Sequence, residues 1–297
     1  MDYVKIVERS WIKIMTDALL DALLDSVKLI PYLLVTFLLI EFIEHKLSKK
    51  NKNVLTKNKK YGPLFGGLFG ALPQCGFSSM AANLFSARVI TMGTLIAVFL
   101  STSDEMLPIM LSEKTNPLLL FKIVGFKVLV GILIGFIIDV IYNKNNKNEV
   151  KVDDNIHELC EHDHCNCHHD GIIKSSIIHT LKITLFILIV NCLINLVIFK
   201  VGEDNLSNLL HYKNIVTYFV ACLIGLIPNC AGSVIITEVY LAKFISVGTM
   251  IGGLLTGSGL GILLLFKTNK NLKENISILS IIYIIGVAVG MLVDLVL

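Results

Sequence analysis

Charged side chains are scarce in this chain. Of its 297 residues only 16% are Asp, Glu, Lys or Arg, whereas 54% are hydrophobic, and the mean hydropathy is +0.74. A water-soluble domain of this size has far more charge on its surface. The composition therefore excludes a soluble globular protein and indicates an integral membrane protein, with the lipid bilayer as its main surrounding.

Several motifs are also missing. The sequence has no Gly-x4-Gly-Lys-Ser/Thr loop, so no ATPase within this chain drives transport. No nucleophile can be matched to a base by spacing, and we expect neither an enzyme, a covalently bound cofactor nor a nucleic-acid partner. The seven cysteines are split between a polar loop and apolar segments, which argues for thiols rather than a disulfide framework. The first residues carry charges without a small-residue cleavage site, so no cleavable signal peptide is expected.

Apolar runs long enough to span a bilayer are present in both halves of the chain. They cover residues 26–44, 88–111, 118–142, 175–199, 244–266 and 276–297. Two further apolar stretches, 62–86 and 214–240, each contain a Pro-Gln/Asn-Cys signature. Residues 1–25 resemble an amphipathic interfacial helix. We predict an all-α membrane protein with the divisions 1–25, 26–142 (repeat one), 143–172 (a cytoplasmic linker) and 173–297 (repeat two).

The two signatures belong to an internal repeat. At an offset of 155 residues, eleven of the 34 positions from 70 to 103 are identical. The lysine-rich loop 46–60 corresponds to the acidic loop 201–213, and the neutral segment 112–120 to the basic segment 267–275. Because lysine favours the cytoplasmic side, equivalent loops lie on opposite sides, which predicts inverted repeats. Each repeat then has about three spans and one re-entrant hairpin, or about ten passes in all when hairpin arms are counted.

Proline and glycine at both signatures predict a broken helix near the membrane centre. A broken helix exposes backbone groups to a bound ion, and the side chains beside these breaks add carboxamides, thiols and hydroxyls: Gln74, Cys75, Ser78, Asn229, Cys230 and Ser233. The alternative is that proline and glycine only shape a hairpin and that the cysteines pack as small apolar groups.

A second predicted break is the polar run 101–105, which contains Ser103, Asp104 and Glu105. Carboxylates inside a span are expensive and are functional by default, although at the outer interface they would only be solvated. The equivalent run 256–260 contains Ser258 and two glycines but no acid. The sequence thus places one acidic cluster opposite a glycine-rich break. Glu41 and Glu238 are secondary candidates, while Asp139 and Asp294, near helix ends, are interpreted as solvated.

The linker is rich in metal-binding side chains. Imidazole and thiolate favour zinc, copper or cadmium, but the spacing fits no structural zinc finger, so a flexible tract that collects metal is expected. The alternative is a polar linker with accidental ligands. The candidate ligands are His157, Cys160, His162, His164, Cys165, Cys167, His168 and His169.

These motifs resemble a family of ten-pass heavy-metal exporters of bacteria and archaea. The resemblance rests on the segments 73–78, 88–106 and 227–230 and on the His/Cys linker. It implies metal efflux across the cytoplasmic membrane of a prokaryote, but family members carry arsenic or manganese labels. The identity of the metal stays open, because this chain has both sulfur ligands, which favour softer metals, and carboxylates, which suit manganese.

Our leading hypothesis is a proton-coupled secondary transporter that exports a metal cation, with Asp104 or Glu105 carrying the proton. The second hypothesis is a carrier for arsenite, another oxyanion or a carboxylate, in which Arg88 and Lys243 would supply positive charge. A metal-sensing receptor without flux is a third reading, and a homodimer stays open.

Overall fold

A computed structural model describes residues 20, 23–24, 26–35, 37–38, 61–72, 75–103, 106–145, 172–201 and 215–296. Within these ranges the regular structure is entirely helical. In chain order the helices are α1 Ser26–Val35, α2 Gly62–Gly70, α3 Cys75–Ser86, α4 Met92–Ser101, α5 Met106–Ser112, α6 Pro117–Asn145, α7 Ile172–Val201, α8 Val216–Gly225, α9 Cys230–Leu241, α10 Val247–Thr256, α11 Leu260–Thr268 and α12 Leu272–Val296. The predicted all-helical fold is confirmed for this part of the chain.

Five stretches are long and apolar enough to cross a membrane: Met92–Ser112, Pro117–Tyr142, Ser176–Ile194, Val247–Thr268 and Leu272–Val296. The first and fourth are mostly buried inside the protein, to 75% and 89%, whereas the other three are only 22–28% buried. Along α6 the side chains of Leu129, Leu133 and Ile137 are exposed on one face. Exposed leucine and isoleucine stripes suit lipid rather than water. The chain is a multi-pass membrane protein with two inner spans and an outer layer.

The helix bounds recur between the two halves at the spacing found in the sequence. Helices α3 and α9 both begin at the cysteine of the signature and are 12 residues long. Helices α4 and α10 are both 10 residues long, and each is separated by a short break from the helix that follows it. The sequence prediction of helix breaks at both signatures and in both inner spans is therefore confirmed.

Glycines bring the inner span of each half close to an outer helix. A methyl group built on Gly93 would lie 2.1 Å from the carbonyl oxygen of Gly135, and one built on Gly248 would lie 2.2 Å from that of Gly290. Small residues allow such backbone contacts in membranes, where packing rather than the hydrophobic effect holds helices together. The α4–α6 and α10–α12 pairs are thus equivalent close-packed units.

Helices also pack across the two halves. Helix α11 of the second half packs on α3 of the first, and α5 of the first half packs on α9 of the second. At the α3–α11 contact the hydroxyl oxygens of Ser86 and Thr268 are 2.6 Å apart. Each half therefore contributes a helix that packs on the signature helix of the other half, and the broken inner spans lie where the halves meet.

Candidate transport site

The two breaks in the inner spans form the buried centre of the molecule. Helix α4 ends at Ser101, and the backbone N–H of Thr102 donates to Val98 O at 3.1 Å. Helix α10 ends at Thr256, and the chain resumes as a helix after Gly259, which has a φ of 52°. A helix end leaves carbonyl groups without an intrahelical partner. The breaks thus place polar backbone in a region closed to solvent.

Both signature helices reach the second break. A methyl group built on Gly261 would lie 2.8 Å from Ser78 Cβ, and one built on Gly257 would lie 3.2 Å from Ser233 Oγ. Ser78 lies in the first turn of α3 and Ser233 in the first turn of α9. Two equivalent serines, one from each half, therefore approach the same short segment of backbone.

Several predicted ligands already make local hydrogen bonds. Ser78 Oγ donates to Cys75 O at 2.9 Å, and Ser103 Oγ donates to Ser101 O at 3.2 Å. Asn229 Oδ1 accepts from the backbone N–H of Cys230 at 2.6 Å and so caps α9. The thiols of Cys75 and Cys230 are half-buried. Each hydroxyl that donates in this way keeps lone pairs with which it could bind a cation.

Ser258 differs from its repeat partner Ser103. Its side chain is 0% exposed, and its hydroxyl has no hydrogen-bond partner in the described part of the chain. An unpaired buried polar group costs about 1–3 kcal/mol, so an orphan hydroxyl at a break points to a bound group.

The sequence interpretation missed two further orphan groups. Ser79 Oγ and both polar atoms of the Asn83 carboxamide are buried without a partner within the described ranges. The two residues are four apart on α3 and therefore share one face. Their signal was present in the sequence, because polar side chains at that spacing in an apolar segment mark a buried polar face.

Lys127 is the most notable residue that the sequence interpretation did not select. Its side chain is 1% exposed, and its ammonium group donates to Thr102 O and, at 2.9 Å, to Leu254 O. The first carbonyl belongs to the break after α4 and the second to the last turn of α10. A lysine in the middle of an apolar span is a functional candidate by default, as an acid there is.

Asp139 and Asp294 are not simply solvated, so that interpretation was wrong. Asp139 accepts from the hydroxyl of Thr91 at 2.7 Å and from the N–H of Gly93 at 2.9 Å, at the start of α4. Asp294 accepts from the N–H of Gly248 at 2.8 Å, at the start of α10. A carboxylate beside a helix amino terminus satisfies orphan N–H groups and the helix dipole. These acids therefore anchor the starts of the inner spans.

Three other charged candidates lie away from the centre. Glu238 and Lys243 are exposed. Arg88 is paired with Glu274, with N–O distances of 2.9 and 2.8 Å. Of the two positive charges that the anion hypothesis needs, Arg88 is thus held in an ion pair, and Lys243 lies at the surface.

The remaining predicted site residues lie outside the described residues: Glu41, Gln74, Asp104, Glu105 and the linker ligands His157, Cys160, His162, His164, Cys165, Cys167, His168 and His169. Within the ranges that are described, no three His, Cys, Asp or Glu side chains come close enough together to hold a metal ion.

The geometry defines a class of protein: a multi-pass membrane protein whose inner spans are broken at a shared polar centre, as in transporters with discontinuous helices. Residues 11–210 match a family described as "Putative, 10TM heavy-metal exporter". The match covers more than half of the chain, and the protein belongs to this family of membrane transporters. No curated protein and no solved structure shows a significant match.

Proposed function

We propose that this protein is a secondary transporter that exports a transition or heavy-metal cation by alternating access, coupled to proton entry. Family membership supports heavy-metal export. The buried, doubly broken centre supports a substrate site within the membrane, since polar backbone at this depth is tolerated only inside protein or a wet cavity.

One observation carries the proposal: the signature helices of both halves meet at the second break. Ser78 approaches Gly261, and Ser233 approaches Gly257. The hydroxyl of Ser258 lies between these two glycines in sequence and has no partner in the described ranges. Helices that only shaped two separate hairpins would have no reason to meet at one polar segment.

Inverted repeats with two re-entrant hairpins, 62–86 and 214–240, are part of the proposal. Arg88, just before α4, pairs with Glu274 in the first turn of α12. Gly248, in the first turn of α10, bonds to Asp294 at the other end of α12. Helix α12 is about 37 Å long at 1.5 Å per residue. The equivalent helices α4 and α10 therefore start at opposite ends of α12, which supports opposite orientations of the two repeats across the membrane.

Orientation also bears on the linker. The hydroxyl of Tyr142, near the end of α6, donates to Glu274 at 3.3 Å, so the linker leaves the protein at the same end as the basic segment 267–275. Lysine-rich loops favour the cytoplasm. A His/Cys-rich tract at that end would collect metal inside the cell and deliver it to the centre.

Substrate chemistry follows from the donors near the break. Thiols at Cys75 and Cys230 favour softer metals such as zinc, copper or cadmium, while the acids Asp104 and Glu105 would suit manganese. The described donors at the centre are uncharged hydroxyls and carbonyls, and the Lys127 ammonium group adds a positive charge, so a divalent cation needs carboxylates to balance it. We assign that role, and the coupled proton, to Asp104 or Glu105.

The test is metal flux into proteoliposomes across a panel of manganese, zinc, copper and cadmium, with and without a pH gradient. We expect flux of at least one metal, faster when protons can move in the opposite direction. Cys75→Ala, Cys230→Ala and Asp104→Asn should each reduce it at least about tenfold, a loss of roughly 1.4 kcal/mol of transition-state stabilisation. Cys192→Ala, a half-buried thiol of α7, is the matched control. Unchanged flux in all three site variants would exclude this site.

The second candidate function is transport of arsenite, another oxyanion or a carboxylate. Lys127 favours it, because this buried ammonium lies at the breaks themselves, and helix amino termini also attract anions. Thermal stabilisation by arsenite or a carboxylate, with none by metals, would support this function. Stabilisation by a metal that persists after deletion of residues 157–169 would support the cation function instead.

A further inference from the structure

Lys127 places one positive charge between the ends of two half-helices. The carbonyl groups of Thr102 and Leu254 come from different halves of the protein, and both accept from its Nζ atom. A helix carboxyl terminus carries a partial negative charge of about half an electron. The ammonium group therefore neutralises two helix ends at once, in a region that water does not reach.

The position is deep in the membrane. Lys127 lies about 15 Å from the start of α6 at 1.5 Å per residue, close to the middle of a hydrocarbon core about 30 Å thick. Its side chain is 1% exposed, so it cannot extend to the surface as many membrane lysines do. An isolated ammonium here would be expensive, and hydrogen bonds to the carbonyl groups of Thr102 and Leu254 lower that cost.

The second half has no matching charge. The repeat partner of Lys127 is Ile282, which is 0% exposed. One lysine thus serves both broken spans, and this departure from the repeat falls at the protein's centre.

We propose that Lys127 is a tethered cation, which occupies the carbonyl site that a free monovalent cation would otherwise fill between the two half-helices. In transporters with discontinuous helices, unwound carbonyls and half-helix carboxyl ends hold sodium ions or protons. Here the chain supplies the charge itself. The transported substrate is left with the hydroxyl side of the break, where Ser78, Ser233 and Ser258 lie.

Chemical rescue of Lys127→Ala tests this proposal. The variant removes the charge and leaves a space that methylammonium or ethylammonium can enter. The melting temperature of the purified protein would be measured in equal concentrations of sodium, potassium, ammonium, methylammonium, ethylammonium and tetramethylammonium chloride. No transition metal is present, so the result does not depend on the transported substrate.

We expect wild type to melt at the same temperature in all six salts. Lys127→Ala should melt several degrees lower in tetramethylammonium, which is too large for the site, and should recover at least half of the loss in a small cation. Lys127→Met, which fills the space without charge, should be destabilised and not rescued by the alkylammonium ions. Lys122→Ala, on the same helix but exposed, should behave as wild type.

Equal melting of Lys127→Ala in every salt would overturn the proposal. If that variant does not fold in any salt, Lys127→Arg and Lys127→Met decide the question. A stable Arg variant with an unstable Met variant supports a required charge, whereas a Met variant as stable as wild type overturns it. Metal flux is measured separately, so rescue without flux would leave the tethered cation intact and reject the exporter function.

Discussion

The ion pair between Arg88 and Glu274 offers a quantitative test of how the two halves are joined. Arg88 lies in the turn after α3, and Glu274 lies in the first turn of α12. The guanidinium group makes two hydrogen bonds to the carboxylate, of 2.9 and 2.8 Å, and Asn269 adds a third at 3.0 Å. The carboxylate side chain is 7% exposed and the guanidinium side chain 21% exposed.

The two single variants should therefore differ in cost. Arg88→Ala leaves a buried carboxylate that keeps hydrogen bonds from Asn269 and Tyr142, and loss of one partner of a buried pair costs about 3–5 kcal/mol. The remaining hydrogen bonds put the expected loss near the lower figure, about 3 kcal/mol. Glu274→Ala leaves a guanidinium group that can turn toward water, so its loss should be about 1–2 kcal/mol.

The repeat supplies the control. Lys243 occupies the position equivalent to Arg88 and has a φ of 64°, against 60° for Arg88. Its side chain is exposed, and Leu119 stands where the second half has Glu274. Alanine at either position meets the same backbone strain, so the difference between the two variants isolates the ion pair.

Unfolding in mixed detergent micelles, followed by loss of helical circular dichroism, measures these differences. Lys243→Ala should change the free energy of unfolding by less than about 1 kcal/mol. The order of destabilisation should be Arg88→Ala, then Glu274→Ala, then Lys243→Ala. Equal losses for Arg88→Ala and Lys243→Ala would refute the claim that this pair stabilises the contact between halves.

Three further outcomes follow from the structure. Gly93→Ala should lower the free energy of unfolding strongly, because its new methyl group would lie 2.1 Å from a backbone oxygen. Gly125→Ala is the control: a methyl group there has nothing within 4 Å, so the free energy of unfolding should stay the same or rise by about 1 kcal/mol. Unfolding measurements on both variants check this. Asp294→Ala should cost about 1–2 kcal/mol in the same assay, as it removes the acceptor for the start of α10. Ser258→Ala should reduce metal flux about tenfold while stability is unchanged or higher, since an unpaired hydroxyl is removed; lower stability with normal flux would contradict its assignment as a ligand.

The positions of the helix breaks could be predicted from the sequence because they depend on local chemistry. At each signature a proline removes a backbone donor and neighbouring glycines loosen the turn, and this combination predicts an interrupted helix. The internal repeat then placed equivalent breaks in both halves, and α9 begins at Cys230 as α3 begins at Cys75. Local signals of this kind need no knowledge of tertiary contacts.

The role of Lys127 could not be derived in the same way. Its partners Thr102 and Leu254 are 25 and 127 positions away. Both accept through their backbone carbonyl groups, so the residue type at these positions does not indicate the hydrogen bond. Asp139 was misread for a similar reason: its partner is the amino terminus of α4, 46 positions earlier at Gly93. Contacts to backbone groups leave no residue-type pattern, so only the folded chain reveals them.

The contact of α3 with α11 also sets an order of events during synthesis. Ser86 and Thr268 are 182 positions apart, and ribosomes add about 5–20 residues per second. Helix α3 is therefore in existence for roughly 10–40 s before its partner is made. During that interval its polar edge must be sheltered by the insertion machinery or by other parts of the first half. The contact between α3 and α11 can thus form only when nearly the whole chain has been translated. The first half produced alone would lack the helix that covers α3.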